Sequence, residues 1–194
     1  MNGQKMTQNI KPYRAAEAAR LLSEGFIGGV AHGRAEVGPR ALGNRSILSD
    51  ARNVRQKERI NGYMKMRRAF QPLAPLCLEE DYHRFFETVD CEISLDYMLY
   101  AIKCKPQART AIPAVVHADD TARVQVIRED NYPFLYELLT EYKKITGIGV
   151  LINTSLNAKG EPIANTPMEA YQIYKKMDLD FLVLDKYLIS NKVQ

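Results

Sequence analysis

Short apolar strand patterns alternate along this chain with amphipathic helix patterns, and that alternation limits the possible fold more than any other feature. RAAEAARLLSE (14–24) repeats Ala and Leu at helical spacing and is stopped by Gly25. FIGGVAH (26–32) reads as a buried strand whose paired glycines admit close backbone approach. A second helix is predicted over about 53–66, NVRQKERINGYMKM, capped by Asp50 or Asn53. Arg52, Arg55 and Arg59 then fall on one face of it. LAPLCLE (73–79) is an apolar run bounded by prolines, while DYMLYAIKC (96–104) and ARVQVIR (122–128) carry the alternation of strands. FLYELLTEYKKI (134–145) is a helix ended by Gly147, and GVLINTS (149–155) is a short buried strand that stops in a polar turn. TPMEAYQIYKKM (166–177) opens with a Thr cap and Pro at the first helical position, and DFLVLD and YLIS close the chain as two strands. The pattern predicts an α/β (or α+β) fold: a single twisted mixed sheet with helices packed on it. With no repeat, low-complexity tract or linker, one domain is expected over 1–194.

The 194 residues, 46% of them hydrophobic, suffice for one good core or two small lobes. No stretch approaches the ~18 apolar residues of a membrane span, and the start lacks the apolar region of a secretory signal. Cys77, Cys91 and Cys104 are odd in number and far apart. They fit neither a disulfide framework nor a zinc site, so three free thiols and a reducing cytoplasmic home are expected. The formal net charge is only +4, but residues 34–68 hold ten Lys and Arg against three acids, a local excess of +7. One concentrated cationic region on an otherwise slightly acidic chain implies an anion-binding cleft.

Inside that region GRAEVGPRALGNRSIL (33–48) has neither helical nor strand period and reads as a shaped loop. Arg34, Arg40, Asn44 and Arg45 stand there among three glycines and a proline, a combination suited to a multi-oxygen anion such as phosphate. Pro39 before Arg40 makes a rigid turn that presents one guanidinium. NGYMKMRRAFQPLAP (61–75) adds Lys65 near a helix end and Arg68 one turn beyond. HADDTARVQ (117–125) and NTSLNAKGEP (153–162) add Arg123, Asn153, Asn157 and Lys159, the latter group directly after a buried strand, where open α/β sheets place ligands. Each segment alone has an ordinary explanation: salt-bridged loop, helix-dipole complement, or Asn/Gly turn. Together they are expected to converge on one cleft. His117 with Asp119 and Asp120 has no second histidine beside it, so no dedicated metal site is expected; Mg²⁺ arriving with a nucleotide needs only one or two carboxylates. Ser46 and Ser155 sit in no nucleophile elbow, and neither a Walker A nor a GxGxxG motif is present.

In order and spacing, GRAEVGPRALGNRSILSDAR, NGYMKMRRAFQPLAP, HADDTARVQ and LINTSLNAKGEPIANTP resemble the C-terminal domain of the O-carbamoyltransferases of the nodulation and antibiotic-tailoring type. The resemblance runs from about residue 14 to 190. It implies a YrdC-like fold with a basic cleft, similar to the threonylcarbamoyl-adenylate-forming domains. It also implies that ATP, accompanied by Mg²⁺, and carbamoyl phosphate give carbamoyl-adenylate and pyrophosphate. The carbamoyl group then passes to a hydroxyl acceptor on a second domain with an actin/sugar-kinase-like fold and a metal site. Carried over position by position, Arg40, Lys65, Arg123 and Asn157 bind phosphate and nucleotide, with Arg40 and Lys65 the catalytic candidates; Gln71 and Lys159 complete the ATP and carbamoyl phosphate set. Clustered cations suit such a reaction, because it brings several negative phosphates together and depends on positioning and charge neutralisation.

The chain departs from the family pattern at several of these positions. Where the family reads REPFRPFAP this chain has RRAFQPLAP, so Gln71 replaces an arginine expected to touch carbamoyl phosphate and Arg68 replaces an acid. Lys159 replaces the arginine of N-x-R-G-E-P and loses its bidentate fork. Asp120 replaces the glycine of D-G-T-A-R and is expected to add negative charge near the anion site. The family's N-terminal transferase domain is expected to be absent, so that the module works with a separately encoded acceptor domain. The alternatives are a nucleotide-binding or interaction module that makes no adenylate, and an RNA-binding domain. Only Tyr63 and Phe70 interleave with the basic residues of 34–68, which argues against stacking on nucleic acid.

Overall fold

Val150, Leu151 and Ile152 point in turn to opposite sides of a sheet that is buried on both faces. The same alternation runs through Phe181, Leu182 and Val183, and through Ile47 and Leu48. The structure is a computed structural model and describes residues 9–88 and 94–190. In chain order the strands are β1 (Asn9–Pro12), β2 (Gly28–Ala31), β3 (Arg45–Asp50), β4 (Ala74–Leu78), β5 (Ile102–Lys103), β6 (Thr121–Ala122), β7 (Gln125–Ile127), β8 (Val150–Ser155), β9 (Phe181–Leu184) and β10 (Tyr187–Ser190). Eight of them form one mixed sheet in the order β1-β10-β9-β2-β3-β8-β4-β7, and β5 pairs with β6 apart from it. The β2–β9 and β4–β7 pairs are parallel and the rest antiparallel.

The helices are α1 (Ala15–Ser23), α2 (Val54–Glu58), α3 (Glu79–Phe85), α4 (Ala108–Ala111), α5 (Pro133–Thr146) and α6 (Pro167–Lys176). Helices α1 and α5 cover one face of the sheet through Leu21, Leu22, Leu138 and Tyr142; α3, α4 and α6 cover the other. Gly28 permits close packing within the first layer, since a Cβ there would lie 2.2 Å from the Phe181 ring. Helix α6 starts as its sequence predicts: the Thr166 side chain accepts from the Glu169 N–H, and Glu169 accepts in return from the Thr166 N–H. No helix among the described residues is long and apolar enough to cross a membrane. Cys77 and Cys104 are free thiols; Cys91 lies outside the described residues.

Several local expectations are corrected. The stretch 33–48 is not all loop, because β3 begins at Arg45. The predicted helix over 53–66 stops at Glu58 and continues as a wider π turn, Arg59–Met64. Asn53 caps it by accepting from the Arg55 N–H, whereas Asp50 instead takes Arg52 and the Tyr142 hydroxyl. Of 96–104 only Ile102–Lys103 is strand, and ARVQVIR divides between β6 and β7 in two different sheets.

Candidate functional site

Sheet register brings the four polar segments to one end of the molecule. Strand β2 ends at Ala31, opposite Arg45, where β3 begins. Ser155, where β8 ends, faces Ser46, and Ala74, where β4 begins, faces Asn153. Strand β7 runs parallel to β4, so the segment leading into it arrives at the same end. A cleft of ≈ 220 Å³ lies there, lined by Arg40, Arg67, Gln71, His117, Arg123 and Asn153 among others. A second hollow of ≈ 400 Å³ shares Pro39 and Arg40 with it and is lined also by Glu36, Asn157, Glu161 and Asn165. Arg40 therefore stands between two compartments.

The glycine-rich loop is built differently from its sequence expectation. The backbone N–H groups of Leu42, Asn44 and Arg45 do converge on an anion, but that anion is the Glu36 carboxylate, at 2.7, 2.7 and 3.1 Å. Arg45 is buried and spends its guanidinium on carbonyls, donating to those of His32, Gly33, Asn44 and Asn165. Gly43, at φ +108°, leaves room beneath the loop for Leu135 of α5, which a Cβ would meet at 2.2 Å. The loop is thus a rigid frame closed on its own carboxylate and carbonyls. Arg40 is left exposed at its tip, without a hydrogen bond or ion pair among the described residues.

The π turn sets the opposite wall. The Lys65 N–H reaches back five residues to the Ile60 carbonyl at 2.8 Å, and this wider turn swings the chain out after Met64. Buried Asn61 organises residues 67–71: its Oδ1 accepts from Arg67 Nε at 2.7 Å, and its Nδ2 donates to the carbonyls of Ala69 and Gln71 at 3.0 and 2.9 Å. Lys65 is buried and lines neither the cleft nor the hollow. Its Nζ donates to Ser155 O at 2.5 Å and to Asn157 O and Oδ1, both at 2.7 Å. Burial, and secondarily the Arg67 guanidinium, push the Lys65 amine down to about 7, while the three acceptors around it favour its charged form.

Cations crowd this end of the sheet. Burial lowers the pKa of Lys57, Arg67 and His117; Arg67 adds to the shift of Lys57, and Lys57 and Arg123 add to that of His117 against the opposing Asp119. Each positive group makes its neighbours harder to charge, and an anion among them relieves that repulsion. Two buried polar atoms on residues of the cleft wall, Arg67 Nη2 and Asn153 Oδ1, have no hydrogen-bond partner among the described residues. Asn153 is fixed by donating from Nδ2 to Ala41 O at 2.8 Å. Both residues line the cleft, and a buried unmet donor and acceptor of this kind are rare in a folded chain.

Of the residues singled out from sequence, Arg40, Gln71 and Arg123 line the cleft. Asn157 lines the adjoining hollow, Lys65 lies behind the 155–157 turn, and Lys159 is exposed outside both linings. Asp120 does not burden the site as expected: it sits in the left-handed region at φ +63° and pairs with Arg109. Asp119 accepts from Thr121 N–H and Oγ1, and His117 Nδ1 bonds to Thr121 Oγ1, so this turn is tied within itself. Arg67 and Asn61 are absent from the sequence-based set. The one signal for them is the Lys65-x-Arg67 spacing, which puts a second cation beside the first.

Comparison with known proteins agrees with this architecture. The family model described as carbamoyltransferase C-terminus matches residues 19–191. The chain belongs to the carbamoyltransferase C-terminal family. Nodulation protein NolNO of Sinorhizobium fredii is 39% identical over 92% of this chain, which covers 26% of that protein. Nodulation protein NolO of Bradyrhizobium diazoefficiens is 37% identical over 92% of this chain and 32% of its own length. This carbamoyltransferase domain thus spans about a quarter to a third of these relatives. Among solved structures, full-length HypF in its phosphate- and nucleotide-bound form matches with TM-score 0.60 at 18% identity, over 94% of this chain and 22% of HypF. P. abyssi Sua5 complexed with L-threonine matches with TM-score 0.60 at 13% identity, over 89% and 46%. The domain shares with them the YrdC-like fold.

Proposed function

We propose that this domain binds carbamoyl phosphate and ATP side by side and joins the carbamoyl group to AMP. The observation that carries the reading is one cleft lined together by Arg40, Arg67, His117 and Arg123 with the amide side chains of Gln71 and Asn153. A carbamoyl phosphate offers oxygens to the cations and an N–H to an amide oxygen, and it matches that donor–acceptor set. Ligand pockets run from about 300 to 1,000 Å³, so the cleft suits a small anion, and a nucleotide needs the adjoining hollow that Arg40 borders. Full-length HypF, part of which shares the fold, has been crystallised in a phosphate- and nucleotide-bound form, which supports a nucleotide-binding reading.

The reaction balances when water converts carbamoyl phosphate to carbamate and phosphate, and a carbamate oxygen then displaces pyrophosphate from the α-phosphorus of ATP. Arg40, Arg67 and Arg123 hold the negative oxygens together, and Lys65 keeps the 155–157 turn in place beneath Asn157. Mg²⁺ would arrive on the nucleotide phosphates. The carbamoyl group then passes to a substrate hydroxyl held by another protein domain, in the cytoplasm, where Cys77 and Cys104 stay reduced.

A second reading, nucleotide binding without adenylate formation, is favoured by Gln71 alone, which puts a neutral amide where the family has arginine. Calorimetric titration of each ligand tests the site. Arg123→Met is expected to weaken carbamoyl phosphate by roughly tenfold or more through loss of a charge-assisted contact. Unchanged affinity for both ligands in that variant would contradict the assignment.

A further inference from the structure

Splitting carbamoyl phosphate with water sets a proton free, and something in the cleft has to take it. Among the described residues that line the cleft there is no carboxylate, thiol or lysine. The three guanidinium groups there keep their protons, and the amides and hydroxyls accept none near neutrality. Lys65, whose amine titrates at about 7, lines neither this cleft nor the hollow beside it. His117 is the lining residue that is left.

The turn that carries His117 decides which of its nitrogens is free. Its ends are joined by the His117 N–H, which donates to Thr121 O at 2.8 Å. Within the turn, Asp119 Oδ1 accepts from the Thr121 hydroxyl at 2.8 Å and from the Thr121 N–H at 3.2 Å. The hydroxyl bond above all holds the Asp119 carboxyl below its usual range, so it is ionised and can only accept. The Thr121 hydroxyl proton is therefore committed to Asp119. Its oxygen is left to accept from His117 Nδ1, 3.1 Å away. The hydrogen of the neutral imidazole thus sits on Nδ1, and Nε2 keeps its lone pair. Nε2 has no hydrogen-bond partner among the described residues and, unlike Arg67 Nη2 and Asn153 Oδ1, is not buried. Burial lowers the imidazole below its ordinary range, with Asp119 opposing and Lys57 and Arg123 reinforcing the shift, so the ring is neutral at neutral pH.

We propose that His117 is the general base of this domain: Nε2 takes a proton from the water that splits carbamoyl phosphate, and Thr121 and Asp119 hold the ring in the tautomer that can do so. This rests on the function proposed above. The water oxygen bonds to phosphorus, the bond from phosphorus to the bridging oxygen breaks, and its electron pair leaves on that oxygen as carbamate. One proton of the water stays on the phosphate; the other goes to Nε2 and from there to solvent. Attack at phosphorus suits a cleft lined with arginine, because cations on the phosphoryl oxygens lower the repulsion that an incoming oxygen meets. Thr121 and Asp119 are positioning residues, and the carboxylate also favours the imidazolium as it forms.

Pyrophosphate release from two carbamoyl donors tests the proposal. Carbamoyl phosphate needs the water step, whereas freshly dissolved ammonium carbamate, supplied in its place with ATP and Mg²⁺, enters after that step. His117→Gln is expected to lower release with carbamoyl phosphate by roughly a hundredfold or more. Release with carbamate should fall far less, so the ratio between the donors is the readout and carbamate turnover reports an intact fold. Thr121→Val should move the ratio in the same direction, and Thr121→Ser should restore it. In heavy-oxygen water the label is expected in the phosphate. Equal loss with both donors in His117→Gln, no loss with either, or phosphate free of label would overturn the proposal while leaving adenylate formation in place. Wild-type release from carbamate but not from carbamoyl phosphate would also overturn it, by removing the water step from this domain. No wild-type release from either donor would remove the function proposed above and this role with it.

Discussion

Gln71 stands where the sequence resemblance leads one to expect an arginine on carbamoyl phosphate. It lines the cleft and is held there through its carbonyl, which accepts from Asn61, leaving the side chain free to face a ligand. An amide offers a neutral contact where a guanidinium offers a charged fork, a difference of about 1–2 kcal/mol. Gln71→Arg is therefore expected to tighten carbamoyl phosphate roughly tenfold with ATP affinity little changed, as read by calorimetry. If affinity does not move, the double variant with Arg68→Ala decides whether Arg68 already supplies the charge. Protonation gives a second expectation. Burial and neighbouring cations hold Lys65 at about 7 and lower His117 below its ordinary range in the free protein. A bound anion favours the charged form of both, so their pKa values rise and protons are taken up on binding near neutral pH. Affinity is then highest below about 7 and falls as pH climbs from there toward the raised value in the complex. Titrating sulfate, which does not itself titrate in this range, into buffers of different ionisation enthalpy should give buffer-dependent heats; identical heats would mean that neither group takes up a proton.

At the scale of elements, the loop 33–44 depends on Glu36 for its shape. Three N–H groups, those of Leu42, Asn44 and Arg45, lose their acceptor in Glu36→Ala, at a cost of about 1–3 kcal/mol. Exchange of those amides should accelerate, with carbamoyl phosphate affinity falling as Arg40 loses its frame; slow exchange in the variant would show that Gly43, Leu135 and Arg45 hold the loop without it. This loop also marks where sequence reading stops. Its glycines and arginines announce an anion, but Glu36 lies within the same loop and competes for the same N–H groups. Only the folded chain decides between that internal carboxylate and an external anion. Helices α5 and α6 are legible in sequence because Gly147, Thr166, Pro167 and Glu169 act locally. The stretch 96–104 is not. Asp96 is tied to Arg128 and Asn131 at 2.7 and 3.0 Å, and Met98 turns through positive φ, so long-range bonds override a strand-like alternation. ARVQVIR likewise breaks at Arg123, where the chain leaves one sheet for another at the cleft wall.

Over the whole molecule, the local charge excess of 34–68 overstates what the cleft holds. Arg45 is spent on carbonyls, Arg52 on Asp50 and Arg59 on Asp180, all away from the cleft. The two cations of that segment that line the cleft, Arg40 and Arg67, are joined by Arg123 and His117 from distant segments because β3, β4, β7 and β8 all open toward one end of the sheet. That convergence is a property of the topology, foreshadowed in sequence only by the order of the four motifs. The central claim is that these groups join a carbamoyl unit to AMP, and pyrophosphate release on mixing the protein with ATP, Mg²⁺ and carbamoyl phosphate tests it most directly. The account predicts release that requires carbamoyl phosphate, is matched by inorganic phosphate, and falls sharply in Arg67→Met and Arg123→Met. Nucleotide binding with no release under any of these conditions would contradict it.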